Sequence, residues 1–452
     1  MPDLTSYSAS DLVRLMSTRE VSPVEVMEAH LAAVDRINPK LNAIVTMAPD
    51  VLDLAQQAEA ALASDRNIGP LHGLPVTIKD TIETAGLRST SGSRARENFV
   101  PGTDAPSVRL LKQAGAIIFA KTNAAELAME YTADNPVFGR TSHPQNPSLT
   151  PGGSSGGEAA AIAAGMSPCG LGTDMAGSIR IPAHFCGIAG LKPTVGAIPG
   201  GGQFPPATGP YSLAAVIGPM ARRVNDLQML FDVLSPPVVG RESLLGQRAA
   251  WYANDGIVPV SEETQTAIAN AAAALAEAGW QVSEQQPPAV SRGHELWMKL
   301  FSRASVLQLR KVYGDDVAKA GDFARWRLQR AEAEVSPALD EYVEAWTERD
   351  RLRAKLIEWM RDTPLLIAPV GATAAYPHDS RKLTVAGQTF STFRAFSYSQ
   401  TFNVFDLPVV VVRAGKSPAG LPIGVQLVGR PFEERTVLAA AATVEAAWSD
   451  LR

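Results

Sequence analysis

The sequence predicts an α/β fold, in which helices pack against a β-sheet. A short apolar strand at 74–78 is followed by a helical stretch at 104–114 and by a second buried strand at 116–120. Strand, helix and strand in this order indicate a βαβ unit. Further strands and a closing helix are predicted at 365–368, 408–412, 421–428 and 436–448.

Two other regions are predicted to be helical. Residues 8–63 read as N-terminal helices, with Ser10 as the cap of one helix and Pro23 near the start of the next. Residues 292–361 hold 26 charged residues among 70, with tryptophans and other aromatic residues spread between them. We interpret them as amphipathic helices that form a cap on the sheet.

Composition limits the function. The chain has 452 residues, of which 19% are charged, and its net charge is −5, which disfavours a nucleic-acid partner. Two cysteines provide neither a disulfide framework nor a CxxC metal pair. The longest uncharged run, 193–221, contains six glycines and six prolines and is unsuited to a membrane helix. No secretory signal is recognised, so a cytoplasmic protein is expected.

The most informative stretch is 141–221, where only four of 81 residues are charged. It contains two loops rich in glycine and serine, 151–157 and 172–178. Buried hydroxyl groups need partners, and glycine allows close approaches of the backbone that other residues prevent. This combination indicates a nucleophile site that is built largely from backbone.

Three familiar sites fit poorly. Residues 152–156 match G-x-S-x-G, but three prolines in 142–151 argue against the strand that a nucleophile elbow needs. A phosphate-binding loop would need a lysine where Glu158 follows the first loop. The six histidines show no H-x-x-x-H spacing, so zinc hydrolysis is disfavoured.

A serine nucleophile without a suitable histidine needs another base. Lys79 directly follows the apolar strand at 74–78, where burial can favour the neutral amine. Its ordinary pKa of about 10.4 must fall to about 7, at a cost of about 4 kcal/mol. Taken alone, a lysine at a strand end is more often a surface residue.

The sequence resembles the amidase signature family. The matching segments cover nearly the whole chain except about 245–360: 73–80, 121–123 with Glu126, the two serine loops, 178–182, 186–194, 403–408 and 420–426. The resemblance implies a central mixed β-sheet sandwiched between layers of α-helices, in one domain spanning 1–452. Within that domain we expect N-terminal helices at 1–63 and a helical cap or insertion at about 260–362.

The resemblance also implies a Ser–cis-Ser–Lys triad. Ser178 would be the nucleophile, Ser154 the bridging serine and Lys79 the base. The implied oxyanion hole uses backbone N–H groups of Met175, Ala176, Gly177 and Ser178. The implied supporting residues are Ser155, Asp174 and Arg180, the last two as an ion pair.

Ala176 departs from the family, which usually has glycine there. Its methyl group would narrow the acyl side of the pocket, or cost about 1–2 kcal/mol if the position needs a positive φ. The three triad positions are nevertheless intact, so we expect an active enzyme.

The resulting expectation is an amidohydrolase that cleaves amides, carbamates (urethanes) or aryl esters with water and needs no metal or cofactor. The alternative is the A subunit of a glutamyl-tRNA amidotransferase complex. The sequence does not decide between monomer and homodimer. Candidate pocket residues are Phe204, Trp297, Trp326, Phe390, Phe393, Phe396 and Tyr398.

Overall fold

The computed structural model describes residues 3–64, 68–236, 247–334 and 337–448. The helices in these ranges are α1 (Ala9–Ser17), α2 (Pro23–Leu41), α3 (Val51–Ala63), α4 (Pro106–Gln113), α5 (Gly156–Ala163), α6 (Arg180–Cys186), α7 (Val224–Leu234), α8 (Glu262–Glu277), α9 (Gly293–Trp297), α10 (Arg303–Tyr313), α11 (Asp322–Ala333), α12 (Leu339–Trp359), α13 (Thr392–Ala395), α14 (Ser397–Val404) and α15 (Glu434–Ala447). The strands are β1 (Ile44–Met47), β2 (Pro75–Lys79), β3 (Ile117–Thr122), β4 (Cys169–Asp174), β5 (Ala189–Lys192), β6 (Val216–Ala221), β7 (Arg248–Trp251), β8 (Gln281–Glu284), β9 (Leu365–Pro369), β10 (Lys382–Val385), β11 (Gln388–Ser391), β12 (Val409–Lys416) and β13 (Pro422–Val428).

Eleven of the described strands form one mixed sheet, in the order β1-β3-β2-β4-β6-β5-β12-β13-β9-β7-β8. Strand β2 is parallel to both β3 and β4, whereas the pairs from β4 to β9 are antiparallel. Strands β10 and β11 form a separate hairpin. The predicted α/β fold with a central mixed sheet between helices is confirmed.

Both faces of the sheet are covered. Along β12, Val410 and Val412 join one hydrophobic core, while Val409 and Val411 join the other. Successive side chains of a strand point to opposite faces, so the two cores lie on the two sides of the sheet. The first core includes residues of α2, α3, α4, α7, α8 and α15, and the second includes residues of α6, α9, α12 and α14.

The N-terminal helices form with one change of detail. Helix α1 is capped by Ser8, whose Oγ accepts from the Asp11 N–H, rather than by the predicted Ser10. Helix α2 begins at Pro23, and Ser22 and Glu25 form a capping box before it. A strand that the sequence did not predict, β1, lies between α2 and α3.

The charged region is helical, with a short π-helical segment, Met298–Ser302, joining α9 to α10. Helices α10 and α11 share a third, small hydrophobic cluster, which also includes Leu127 from the sheet side. The Glu126 carboxylate accepts from Tyr313 Oη at 2.6 Å and from the Gly321 N–H at 2.9 Å. These contacts attach α10 and α11 to the rest of the molecule.

Candidate active site

Lys79 is the last residue of β2 and is fully buried. Its Nζ lies 2.7 Å from Ser154 Oγ and 2.7 Å from Thr173 Oγ1. Thr173 lies near the end of β4, and because β2 and β4 are parallel neighbours, their carboxyl ends meet at one edge of the sheet. Burial lowers the pKa of Lys79 to about 7, although the charges of Asp174 and Glu158 oppose the shift. A large fraction of this amine is therefore neutral at neutral pH.

Ser154 lies in the first serine loop and is also fully buried. The Gly153–Ser154 peptide bond is cis. A side chain at Gly153 would collide with the Thr132 carbonyl oxygen, which lies 2.0 Å from an ideal Cβ. The Ser155 N–H donates to the Ser178 carbonyl at 3.1 Å, so the two serine loops are joined directly.

The second serine loop, residues 172–178, is held by a buried ion pair. Asp174 Oδ1 lies 2.8 Å from Arg180 Nη2, and neither side chain is exposed. The same carboxylate accepts the N–H groups of Gly177 at 2.9 Å and Ile179 at 3.0 Å. Although burial alone raises the pKa of Asp174, the Arg180 guanidinium holds it well below its usual range. Asp174 therefore remains a carboxylate and fixes the loop before Ser178.

The backbone N–H groups of this loop are not equivalent. Gly177 donates to Asp174, whereas the N–H groups of Met175, Ala176 and Ser178 donate no hydrogen bond within the described residues. Gly177 has φ of 114°, and a Cβ there would lie 2.6 Å from that of Ser399. Ala176 lies outside the positive-φ region, so its methyl group causes no backbone strain.

A cavity of about 1300 Å³ opens onto both serine loops, and Ser154, Ser178, Met175 and Ala176 line it. Of the seven aromatic residues proposed for the pocket, Phe204, Trp297, Trp326 and Phe393 also line it. Phe390, Phe396 and Tyr398 do not line it. Phe396 and Tyr398 are buried in the core instead. Many charged residues of the wall pair with one another: Arg140 with Asp134 and Asp379, Arg327 and Arg330 with Glu334, and Arg381 with Glu130.

Sequence reasoning missed several residues around the site. Thr173 was detectable, because it lies inside the second glycine loop beside Asp174. Tyr131, His294 and Gln400 had no signal in the sequence. Tyr131 Oη donates to the Ala176 carbonyl at 2.6 Å, and Gln400 links Tyr131 to His294.

The fold and this cavity define an α/β protein with a buried lysine and serines at one edge of its sheet. A sequence model of the family described as Amidase matches residues 25–438. The chain belongs to the amidase (amidase signature) family and is a hydrolase that acts on amides.

Relatives cover the chain almost completely. It is 32% identical to an indoleacetamide hydrolase of Bradyrhizobium diazoefficiens, over 97% of this chain and 86% of that protein. It is 30% identical to the A subunit of the glutamyl-tRNA(Gln) amidotransferase of Carboxydothermus hydrogenoformans, over 98% of this chain and 97% of that protein. A solved structure described as an amidase is 28% identical and superposes with a TM-score of 0.88, covering 97% of this chain and 99% of its own.

None of the helices in the described part of the chain is long and apolar enough to cross a membrane.

Proposed function

We propose that Ser178 is the nucleophile, Ser154 the proton relay and Lys79 the general base of an amidohydrolase. The observation that carries this assignment is the 2.7 Å contact between the buried Lys79 amine and Ser154 Oγ. A lysine can act as a base only when it is neutral, and burial lowers the pKa of Lys79 to about 7. Ser154 and Ser178 line the same cavity, which supports a shared task.

In the proposed reaction, Lys79 accepts the Ser154 proton while Ser154 accepts the proton of Ser178. Ser178 Oγ then attacks the carbonyl carbon of the substrate and forms a tetrahedral intermediate. The proton returns through Ser154 to the leaving nitrogen, the C–N bond breaks, and an acyl-enzyme remains. Water then attacks the acyl carbon and gives its proton through Ser154 to Lys79, and that proton returns to Ser178 Oγ as the C–O bond to Ser178 breaks and the acid leaves.

The negative oxygen of the intermediate needs donors that are free. We assign the oxyanion hole to the N–H groups of Met175, Ala176 and Ser178, which have no acceptor within the described residues. Gly177, which the sequence also predicted for the hole, donates to Asp174 instead. We propose that its role is conformational, because a Cβ there has no room.

The proposed substrates are uncharged amides or carbamates (urethanes), including aryl compounds. Tyr131, Trp297 and Phe393 form a contiguous aromatic wall. The Phe393 ring centroid lies 5.2 Å from that of Tyr131 and 4.9 Å from that of Trp297. The ion pairs of the cavity wall satisfy many of its charges internally, which favours a neutral ligand. The relative named as an indoleacetamide hydrolase acts on an amide with an aromatic group.

Release of aniline from an acyl anilide by the purified chain tests the proposal. Ser178→Ala should abolish the release, because it removes the attacking oxygen. Ser380→Ala is the matched control, since Ser380 lines the same cavity but belongs to neither serine loop. Retained turnover in Ser178→Ala would reject the assignment of the nucleophile.

The alternative function is that of the A subunit of a glutamyl-tRNA amidotransferase. The observation that favours it is the 30% identity to such a subunit from Carboxydothermus hydrogenoformans. It predicts an inactive chain that becomes a glutaminase only with partner subunits. Turnover of an anilide by the isolated chain favours the first proposal.

We further propose that the enzyme works in the cytoplasm. Its two cysteines, Cys169 and Cys186, both lie in the described part of the chain, are buried and form no disulfide. Reduced cysteines are typical of that compartment.

A further inference from the structure

The loop before Ser178 presents two carbonyl groups that are held from outside the loop. The Met175 carbonyl accepts from Trp297 Nε1 at 3.0 Å. The Ala176 carbonyl accepts from Tyr131 Oη at 2.6 Å. Trp297 belongs to α9, in the charged helical region, although it lies 122 residues from Met175 in sequence.

The first contact orients a proposed oxyanion donor. The peptide group between Met175 and Ala176 is planar and trans, so its N–H points away from its carbonyl. Because Trp297 holds the carbonyl on one side, the Ala176 N–H is directed to the other. That N–H donates no hydrogen bond within the described residues. Without Trp297 the Met175 carbonyl would have no hydrogen-bond donor within the described residues.

The next peptide group is held at both ends. Its carbonyl, on Ala176, accepts from Tyr131, and its N–H, on Gly177, donates to Asp174 Oδ1 at 2.9 Å. The orientation of this group therefore follows from two residues that belong to different parts of the chain.

A chain of hydrogen bonds continues from Tyr131 to α9. Gln400 Nε2 donates to the Phe393 carbonyl at 2.8 Å and to Tyr131 Oη at 2.9 Å. A carbonyl only accepts, so this contact fixes which end of the Gln400 amide is the nitrogen. Gln400 Oε1 then faces His294 Nδ1 at 2.6 Å, and His294 must be the donor. In this series of hydrogen bonds each donor and acceptor role is therefore assigned. The series runs from His294 through Gln400 and Tyr131 to the Ala176 carbonyl.

We propose that helix α9 positions the oxyanion-binding backbone, directly through Trp297 and indirectly through His294, Gln400 and Tyr131. His294 and Trp297 are three residues apart and therefore project from one side of the helix. Trp297 is a positioning residue: it holds the peptide group whose N–H meets the developing negative charge. The inference rests on the proposed function of Ser178 and extends it to a helix far away in sequence.

Trp297→Phe tests the inference, because it removes the indole N–H and keeps an aromatic ring. We expect kcat on an anilide to fall about tenfold, the effect of about one hydrogen bond, with KM changed by less than about twofold. The matched control is Trp346→Phe, since Trp346 packs against the same hydrophobic core as Trp297, lies outside the cavity wall, and its indole donates no hydrogen bond in the described ranges. That variant should retain both constants.

A phenylboronic acid provides a readout that packing alone would not change. Its tetrahedral adduct with a serine hydroxyl places an oxygen in the oxyanion hole. Its inhibition constant should rise in Trp297→Phe by about the factor lost in kcat, whereas affinity for an unreactive substrate analogue should not change. Tyr131→Phe, which deletes only the hydroxyl bonded to Ala176, should act in the same direction and serves if Trp297→Phe does not fold.

Unchanged kcat and boronic-acid affinity in both folded variants would overturn the inference, as would a loss confined to KM. Ser178→Ala separates this failure from failure of the proposed function. An inactive Ser178→Ala beside a fully active Trp297→Phe rejects only the role of α9, whereas an active Ser178→Ala rejects the nucleophile itself.

Discussion

The state of a single amine sets the expected pH dependence. Lys79 is a base only when it is neutral, and burial places its pKa at about 7. Activity should therefore be lost as the pH falls through about 7 and should be retained above it. Measurement of kcat/KM on a neutral anilide between about pH 5 and 9 checks the midpoint. A midpoint near the ordinary lysine value would contradict the assignment of the base.

Glu158 supplies a matched perturbation of that profile. Its buried carboxyl accepts from Thr122 Oγ1 at 2.7 Å and from Thr77, and when it is ionised its charge raises the pKa of Lys79. Burial raises the pKa of Glu158 itself to about 7, so this charge is partly present at the midpoint of the profile. Glu158→Gln keeps the shape and removes the charge, so the midpoint should move to lower pH. A shift to higher pH would mean that another group controls the profile.

The residues of the site differ in how well the sequence predicts them. Lys79, Ser154 and Ser178 all lie in motifs that the sequence shows, and Lys79 ends an apolar strand that the sequence predicts. Tyr131 and Trp297 act on backbone carbonyls 45 and 122 residues away. A backbone carbonyl is the same for every residue type, so such contacts leave no pattern in the sequence.

Among the elements, the second serine loop and α6 depend on one ion pair. Arg180 also donates to the Ser399 carbonyl and to Gln426 Oε1, both at 2.7 Å, and thereby ties α6 to α14 and β13. Arg180→Met would leave Asp174 as an unpaired buried charge. We expect the free energy of unfolding to fall by about 3–5 kcal/mol, measured by urea denaturation.

Two further variants show whether charge is the cause. Adding Asp174→Asn to Arg180→Met should recover part of the loss, because no unpaired charge then remains. Arg361→Met breaks a pair between Arg361 and Glu358 whose side chains are both 70% exposed, and it should leave stability unchanged. Equal effects of the buried and exposed changes would contradict this account.

Strands were predictable where apolar residues run together, as in β2, β3, β9 and β13. Strands β4, β5 and β6 were missed, although they lie in the middle of the sheet. Their sequences contain glycine, and β6 also contains proline, so neither alternation nor an apolar run marks them. Their tight packing explains the glycines: a Cβ at Gly218 would lie 2.1 Å from the Leu191 carbonyl oxygen.

For the whole molecule, the small cluster under α10 and α11 is joined to the main body through Glu126. Tyr313→Phe removes the 2.6 Å contact to this carboxylate without changing the ring. We expect faster amide hydrogen exchange across α10 and α11 and unchanged exchange in the central strands. Mass spectrometry of peptic peptides measures both, with Trp326→Phe as a control in α11.

Uniform exchange changes throughout the chain, or none in α10 and α11, would contradict the independent opening of this region.

The single domain over 1–452, with a cap at about 260–362, stays a prediction. Within that range α8 contributes to the core on one side of the sheet, whereas α9 and α12 contribute to the core on the other.

The complete burial of Lys79 has a chemical consequence beyond its pKa. A lysine that is largely neutral at pH 8 would ordinarily react with activated esters and other acylating compounds before a lysine with an ordinary pKa. With no exposed surface, and with Ser154 and Thr173 in contact with its amine, Lys79 is screened from such compounds. The same burial therefore lowers the pKa of the Lys79 amine and prevents its acylation.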